Sequence, residues 1–137
     1  MILLPSDLRM VLRVNAVCSL AAEAAGLDFD PVPAVKFFSP VSAATWLATE
    51  LYDDEDTLFG LADMGLGCPE LGVFSLGEMA AVRLPFGLGI ERDIGFATPH
   101  PLSVWADAAR RAGSILAAQT ELRAAQASEL PPRGRDG

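Results

Sequence analysis

Cysteine, histidine and basic residues are scarce in this chain. Cys18 and Cys68 are its only cysteines and stand in no metal or redox spacing, so they are expected as reduced thiols that behave as small apolar residues. His100 is the only histidine and sits between Pro99 and Pro101. A multi-histidine metal centre is therefore excluded. A Ser-His-Asp relay would have to be built on His100, and no serine stands in a nucleophile elbow. No apolar run approaches the roughly 20 residues of a membrane-spanning helix. The opening MILLPSDLRMVLR has no basic leader, and Pro5 and Asp7 interrupt its apolar start, so it does not read as a signal peptide. These absences predict a cytoplasmic protein with no cofactor.

What is present is a chain of 137 residues, 51% hydrophobic and 20% charged. That suits one globular domain over residues 1–130, with a flexible tail at 131–137. Net charge is -8, and its placement matters more than its size. Residues 28–93 hold twelve acids against three bases, Lys36, Arg83 and Arg92, while the two ends are near neutral. An acidic middle repels phosphate, which disfavours direct nucleic-acid binding. It attracts and steers a basic protein surface.

Local patterns predict an α+β fold. Residues 6–25 read as helical, with Ser6 as N-cap, Asp7 in the first turn and Gly26 as stop. Leu8, Val11, Leu12 and Asn15 fall on one face. The polar Asn15 predicts a break, with a second short alanine-rich helix after it. Strands are expected at 34–39, 44–52, 57–65 and 70–75, joined by short connections that suit an antiparallel meander. In the second strand Thr45, Leu47, Thr49 and Leu51 should share one face, and Trp46, Ala48, Glu50 and Tyr52 the other. GLGCPE at 65–70 is turn chemistry. SLGE at 75–78 matches a capping box in which Ser75 and Glu78 bond each other's amides. A helix should follow it as far as Pro85, and a fifth strand should lie within 87–96. From Pro101 an apolar stripe of Trp105, Ala108, Ala112, Ile115 or Leu116, Gln119 and Leu122 marks a C-terminal helix. Gly113 leaves open whether it is one helix or two. About five antiparallel strands, a meander plus one, would then carry N-terminal, middle and C-terminal helices.

Several of these stretches carry a longer likeness. VKFFSP, ATWLATE, FGLADMGLGCPELGVFSLGEM, GLGIERDIGF and PLSVWADAARRAG, within 34–112, together resemble a bacterial domain-of-unknown-function family, number 2958. The pattern G-x-x-E-L-G-x-x-S-L-x-E followed by G-L-x-I-E-R-D is long and specific. The resemblance implies an accessory protein of plasmids and conjugative elements, encoded near anti-restriction and partitioning genes. It carries no catalytic residues to transfer.

The residues that remain for function are acidic. The contiguous run Asp53 to Asp56 lacks the alternating ligands and central glycine of a calcium loop and reads as a solvated hairpin turn. Glu70 has no structural task in the turn that holds it. Glu91 and Asp93 should share one strand face, with Arg92 on the other. Trp46 and Trp105 are expected in the core. The leading expectation is a non-enzymatic protein that binds a partner, such as a basic DNA-handling protein, through an acidic surface of Glu50, Asp53, Asp54, Asp56, Glu70, Glu91 and Asp93. A metal-assisted hydrolase using Glu70, Glu91 and Asp93 is the alternative, and would require those carboxylates to converge. A homodimer packed through the C-terminal stripe is the third.

Overall fold

The computed structural model describes residues 1–129; the tail expected at 131–137 lies outside them. Four helices, α1 (Ser6–Ala24), α2 (Leu76–Ala81), α3 (Leu102–Ala112) and α4 (Ile115–Glu129), accompany five strands. The strands are β1 (Val35–Phe38), β2 (Thr45–Leu51), β3 (Thr57–Asp63), β4 (Glu70–Ser75) and β5 (Glu91–Arg92). They form one antiparallel sheet in the order β4-β3-β2-β1-β5. The fold is α+β, and the sheet is a four-strand meander with one strand added beside the first.

The inner strands bury both faces of the sheet, whereas the edge strand β4 leaves Leu71 and Val73 exposed. On one, Leu12 of α1 and Met79 of α2 pack with Val35, Phe37, Trp46, Ala48, Leu51 and Leu58. On the other, Trp105, Ala109, Ile115 and Ala118 of α3 and α4 pack over Leu47 and Leu61. Both tryptophans are buried, as their amphipathic settings predict. The C-terminal stripe is consumed inside the chain: Trp105, Ala108, Ile115 and Gln119 are buried. Gly113 turns left-handed at φ 88° and splits the stripe between α3 and α4, because only a residue without Cβ takes that conformation without strain.

The structure corrects several local expectations. The first helix starts at Ser6 behind Pro5, without a side-chain cap. It runs unbroken through Asn15, whose side-chain amide leaves the helix and donates to the Thr49 carbonyl at 2.9 Å. Arg13 donates to the Leu51 carbonyl at 2.8 Å. β1 pairs with β2 only from Thr45 to Ala48, so the two α1 side chains serve carbonyls beyond the reach of that ladder, which otherwise would be costly to bury unpaired. Of the expected inner face, Leu12 is buried, joined by Ala16, whereas Val11 is exposed. α2 ends at Ala81, four residues before Pro85. β5 is only two residues long.

The strict alternation expected in β2 fails at a bulge. Ala48 stands opposite Gly60 and Glu50 opposite Phe59, so Thr49 is the extra residue. Leu51 thereby joins Trp46 and Ala48 on the α1 face instead of following Leu47. Gly60 makes room for the bulge: a Cβ there would fall within the van der Waals envelope of the Leu47 carbonyl oxygen. Gly60→Ala should therefore destabilise the protein by about 3 kcal/mol, read as a lower midpoint in urea unfolding with an unchanged slope.

Asp63, fully buried at the end of β3, accepts from the Ile115 amide at 2.8 Å and from the Gly65 amide at 2.8 Å. Removing it leaves two donors without their acceptor. Asp63→Ala is expected to lose roughly 3 kcal/mol, and Asp63→Asn, which keeps one acceptor oxygen but sets its NH2 against the other amide, should also be destabilised in the same unfolding measurement, because each amide donates to a different carboxylate oxygen.

Candidate functional site

The seven carboxylates singled out by the sequence fall in three places. Glu50, Asp53, Asp54 and Asp56 gather at the β2–β3 turn. Glu70 opens β4, at one edge of the sheet, whereas Glu91 and Asp93 lie at or next to β5, at the other edge. The three carboxylates required for a hydrolytic metal centre therefore do not converge. Among the described residues no three His, Cys, Asp or Glu side chains are placed to hold a metal ion.

At the turn, two acids have structural tasks. Asp54 accepts from the Asp56 amide, the Thr57 amide and the Thr57 hydroxyl at 2.6–2.9 Å. Those bonds, the Thr57 hydroxyl foremost, hold its carboxyl below its ordinary range. Asp56 accepts from the Ser75 hydroxyl at 2.8 Å and the Gly77 amide at 2.7 Å. The Glu78 amide donates to Ser75 Oγ as the capping box predicts. The carboxylate at that cap is Asp56's, however, and not Glu78's. The turn and the start of α2 are thus one hydrogen-bonded unit. Arg9 of α1 reaches it through an ion pair to Glu55 at 3.4 Å.

Asp53 and Glu50 remain. With Glu23, they rim a groove of about 400 Å³ between α1 and the end of β2. Ala16, Val17, Leu20 and Tyr52 supply its apolar wall, and Arg13 and Ser19 complete it. Val17 is 57% and Leu20 68% exposed, whereas Glu50 is only 8% exposed. Burial pushes the Glu50 carboxyl above its ordinary 4.5, with the Ser19 hydroxyl opposing. The Tyr52 phenol is pushed up by burial and by the Glu50 charge. The outer side of α1 continues the apolar surface through Met10, Val11 and Val14, all exposed.

At the opposite region of the sheet, Glu91 pairs with Phe38 and Arg92 with Phe37, which puts the two side chains on alternate faces as expected. Asp93 hydrogen-bonds the Lys36 carbonyl through its amide at 2.9 Å, and its carboxylate lies 3.8 Å from Lys36 Nζ. A cavity of about 510 Å³ opens there. Sequence reasoning passed over Lys36, although a lone charge among Val35, Phe37 and Phe38 marks a strand position where an ammonium must be buried. It also passed over Asn15 and Arg13 as edge donors; nothing in a helical pattern shows which strand a polar side chain will meet.

Cys18 and Cys68 are unpaired, as expected, but both are exposed rather than packed. No described helix is long and apolar enough to cross a membrane.

A five-stranded α+β protein with an acid-rimmed apolar groove is the class defined by this geometry. The family described as "Protein of unknown function (DUF2958)" matches residues 3–116, and the chain belongs to it. The match takes in α1, so the likeness extends beyond the stretch 34–112 that the motifs mark. No curated protein and no solved structure shows significant similarity to the chain.

Glu50 provides a pH test. Its folded-state pKa is raised, so its contribution to stability is full below about pH 4.5 and is lost as pH rises through the raised value. Glu50→Gln should therefore melt higher than wild type at pH 7. The difference should shrink toward zero below pH 4.5. A constant difference across that range would assign the effect to packing.

Proposed function

We propose that the protein is a non-enzymatic accessory protein that works by binding another protein, and that the groove between α1 and the β2–β3 turn is the contact. The observation that carries this is the pairing of exposed Val17 and Leu20 with the carboxylates of Glu23, Glu50 and Asp53 around one concavity. A water-facing apolar wall gains by being covered. The carboxylates select what covers it: a basic amphipathic segment of a partner, whose apolar side packs on Val17 and Leu20 while its arginines and lysines meet the rim. Segments of that kind occur on the nucleic-acid-facing surfaces of DNA-handling proteins. This fits an accessory, anti-restriction-like role for a protein encoded on a mobile element and working in the cytoplasm, where exposed thiols such as Cys18 and Cys68 stay reduced. Direct binding to nucleic acid is disfavoured by the net charge of -8.

The homodimer reading loses its proposed contact, because the C-terminal stripe is buried against the chain's own sheet.

Fluorescence anisotropy with labelled synthetic helices of about five turns tests the proposal: a basic amphipathic peptide, its sequence-scrambled form and an acidic amphipathic peptide. The basic amphipathic peptide should bind, and more weakly as salt rises. Leu20→Asp should weaken it about tenfold or more, and Glu23→Gln with Asp53→Asn should flatten the salt dependence. Equal binding of the scrambled or acidic peptide, or no binding at all, would sink the reading.

A further inference from the structure

Between the loop before α3 and the second half of α4 lies a small cavity of about 30 Å³, room for a single small ion or molecule. Its polar walls come from Thr98 and His100 on the loop and from Gln119, Arg123 and Gln126, which share one stripe of the helix. What these groups can offer is fixed by the bonds they already make. Lys36, the only lysine of the chain, donates through Nζ to Gln119 Oε1 at 2.7 Å. Gln119 is 9% exposed, and with its oxygen engaged it has its NH2 left for the cavity. The Thr98 hydroxyl accepts from the His100 amide and from the Trp105 indole, each at 3.2 Å. Both its lone pairs are taken, so its own hydrogen is left to donate. Arg123 can only donate. His100 Nε2 is buried without a partner, which is expensive. Among the described residues no carboxylate lines this cavity, although the chain carries a net charge of -8. Burial lowers the Lys36 pKa, Asp93 opposes that, and the charge of Arg123 lowers it further, so the guanidinium acts on the ammonium behind Gln119.

We propose that this cavity binds a small carboxylate of the size of formate. Its oxygens accept from the Gln119 NH2, the Arg123 guanidinium, the Thr98 hydroxyl and His100 Nε2, in the tautomer that carries its hydrogen there. A guanidinium fork suits the two oxygens of a planar carboxylate better than a spherical ion. Phe96, Trp105 and Leu122 form the apolar part of the wall, where a charge-assisted bond is stronger than in water. A water molecule suits the lining less well, because its own hydrogens need acceptors and most of these side chains offer hydrogens. The site lies apart from the groove of the proposed function and does not rest on that reading.

The test titrates sodium formate into the full chain labelled with nitrogen-15, at constant ionic strength set by a bulky organic sulfonate, and follows proton–nitrogen NMR spectra. The Gln119 side-chain amide and the Trp105 indole N–H should shift together and saturate, with a dissociation constant in the millimolar range, the tightest that so few heavy atoms supply. Arg123 is exposed, so Arg123→Gln leaves the core intact; it should weaken formate about tenfold. Sodium chloride should shift the same signals less at equal concentration. Shifts in wild type that grow without saturating, or that miss Gln119 and Trp105, would overturn the proposal without recourse to any variant. Unchanged affinity in Arg123→Gln would remove the guanidinium from the site, and an equal response to chloride would overturn the assignment to a carboxylate.

Discussion

The carboxylate of Asp63 joins parts of the chain that the sheet alone would leave unconnected. It sits at the last residue of β3 and takes the first amide of α4, fifty-two residues further on, together with the amide of the Gly65 turn. A helix N-terminus carries unpaired donors and a positive end, and a buried anion answers both needs at once. Placing α4 in this way sets the height of Ile115 over Leu47 and Leu61 in the core. One turn later along the same helix comes Gln119, which reaches across to Lys36 on β1. The position of the lone lysine therefore depends, through one helix, on a carboxylate at the far side of β2.

A second constraint acts at the other end of β2. The bulge at Thr49 turns Leu51 toward α1, and the shortness of β1 leaves the Thr49 and Leu51 carbonyls beside that helix. Asn15 and Arg13 complete the hydrogen bonding there. α1 thus acts partly as packing and partly as a substitute strand. This is why its polar inner residues face the sheet edge while Met10, Val14, Val17 and Leu20 are left to water.

The architecture was largely legible in the residues. Alternating and β-rich runs between turn signals marked β1 to β4 nearly to their ends, and Ser75 marked the start of α2. Local chemistry decides those features. What the sequence did not show is decided by partners distant along the chain. Asn15 looks like a helix breaker until the Thr49 carbonyl is beside it. Alternation through β2 looks secure until a bulge shifts it, and Gly60, the residue that permits the bulge, carries no signal without knowledge of what lies opposite. The acids of the turn were recognised as a group, but not their division of labour: Asp54 and Asp56 are committed to backbone amides, while Glu50 and Asp53 face the groove. Composition counts charges; only the fold shows which of them are already engaged.

The strand order also has a kinetic meaning. β1 to β4 follow one another in sequence and in space, so each pairing closes a short loop. β5 returns to β1 only after β4 and α2 have intervened, with Arg92 opposite Phe37. Closing that long loop carries a larger entropic cost, and only two residues of ladder repay it. On that ground the meander is expected to assemble first and β5 to dock onto it late. By the same reasoning, β5 should be the first of the five strands released when the native protein opens locally, and the cavity around Lys36 would open with it.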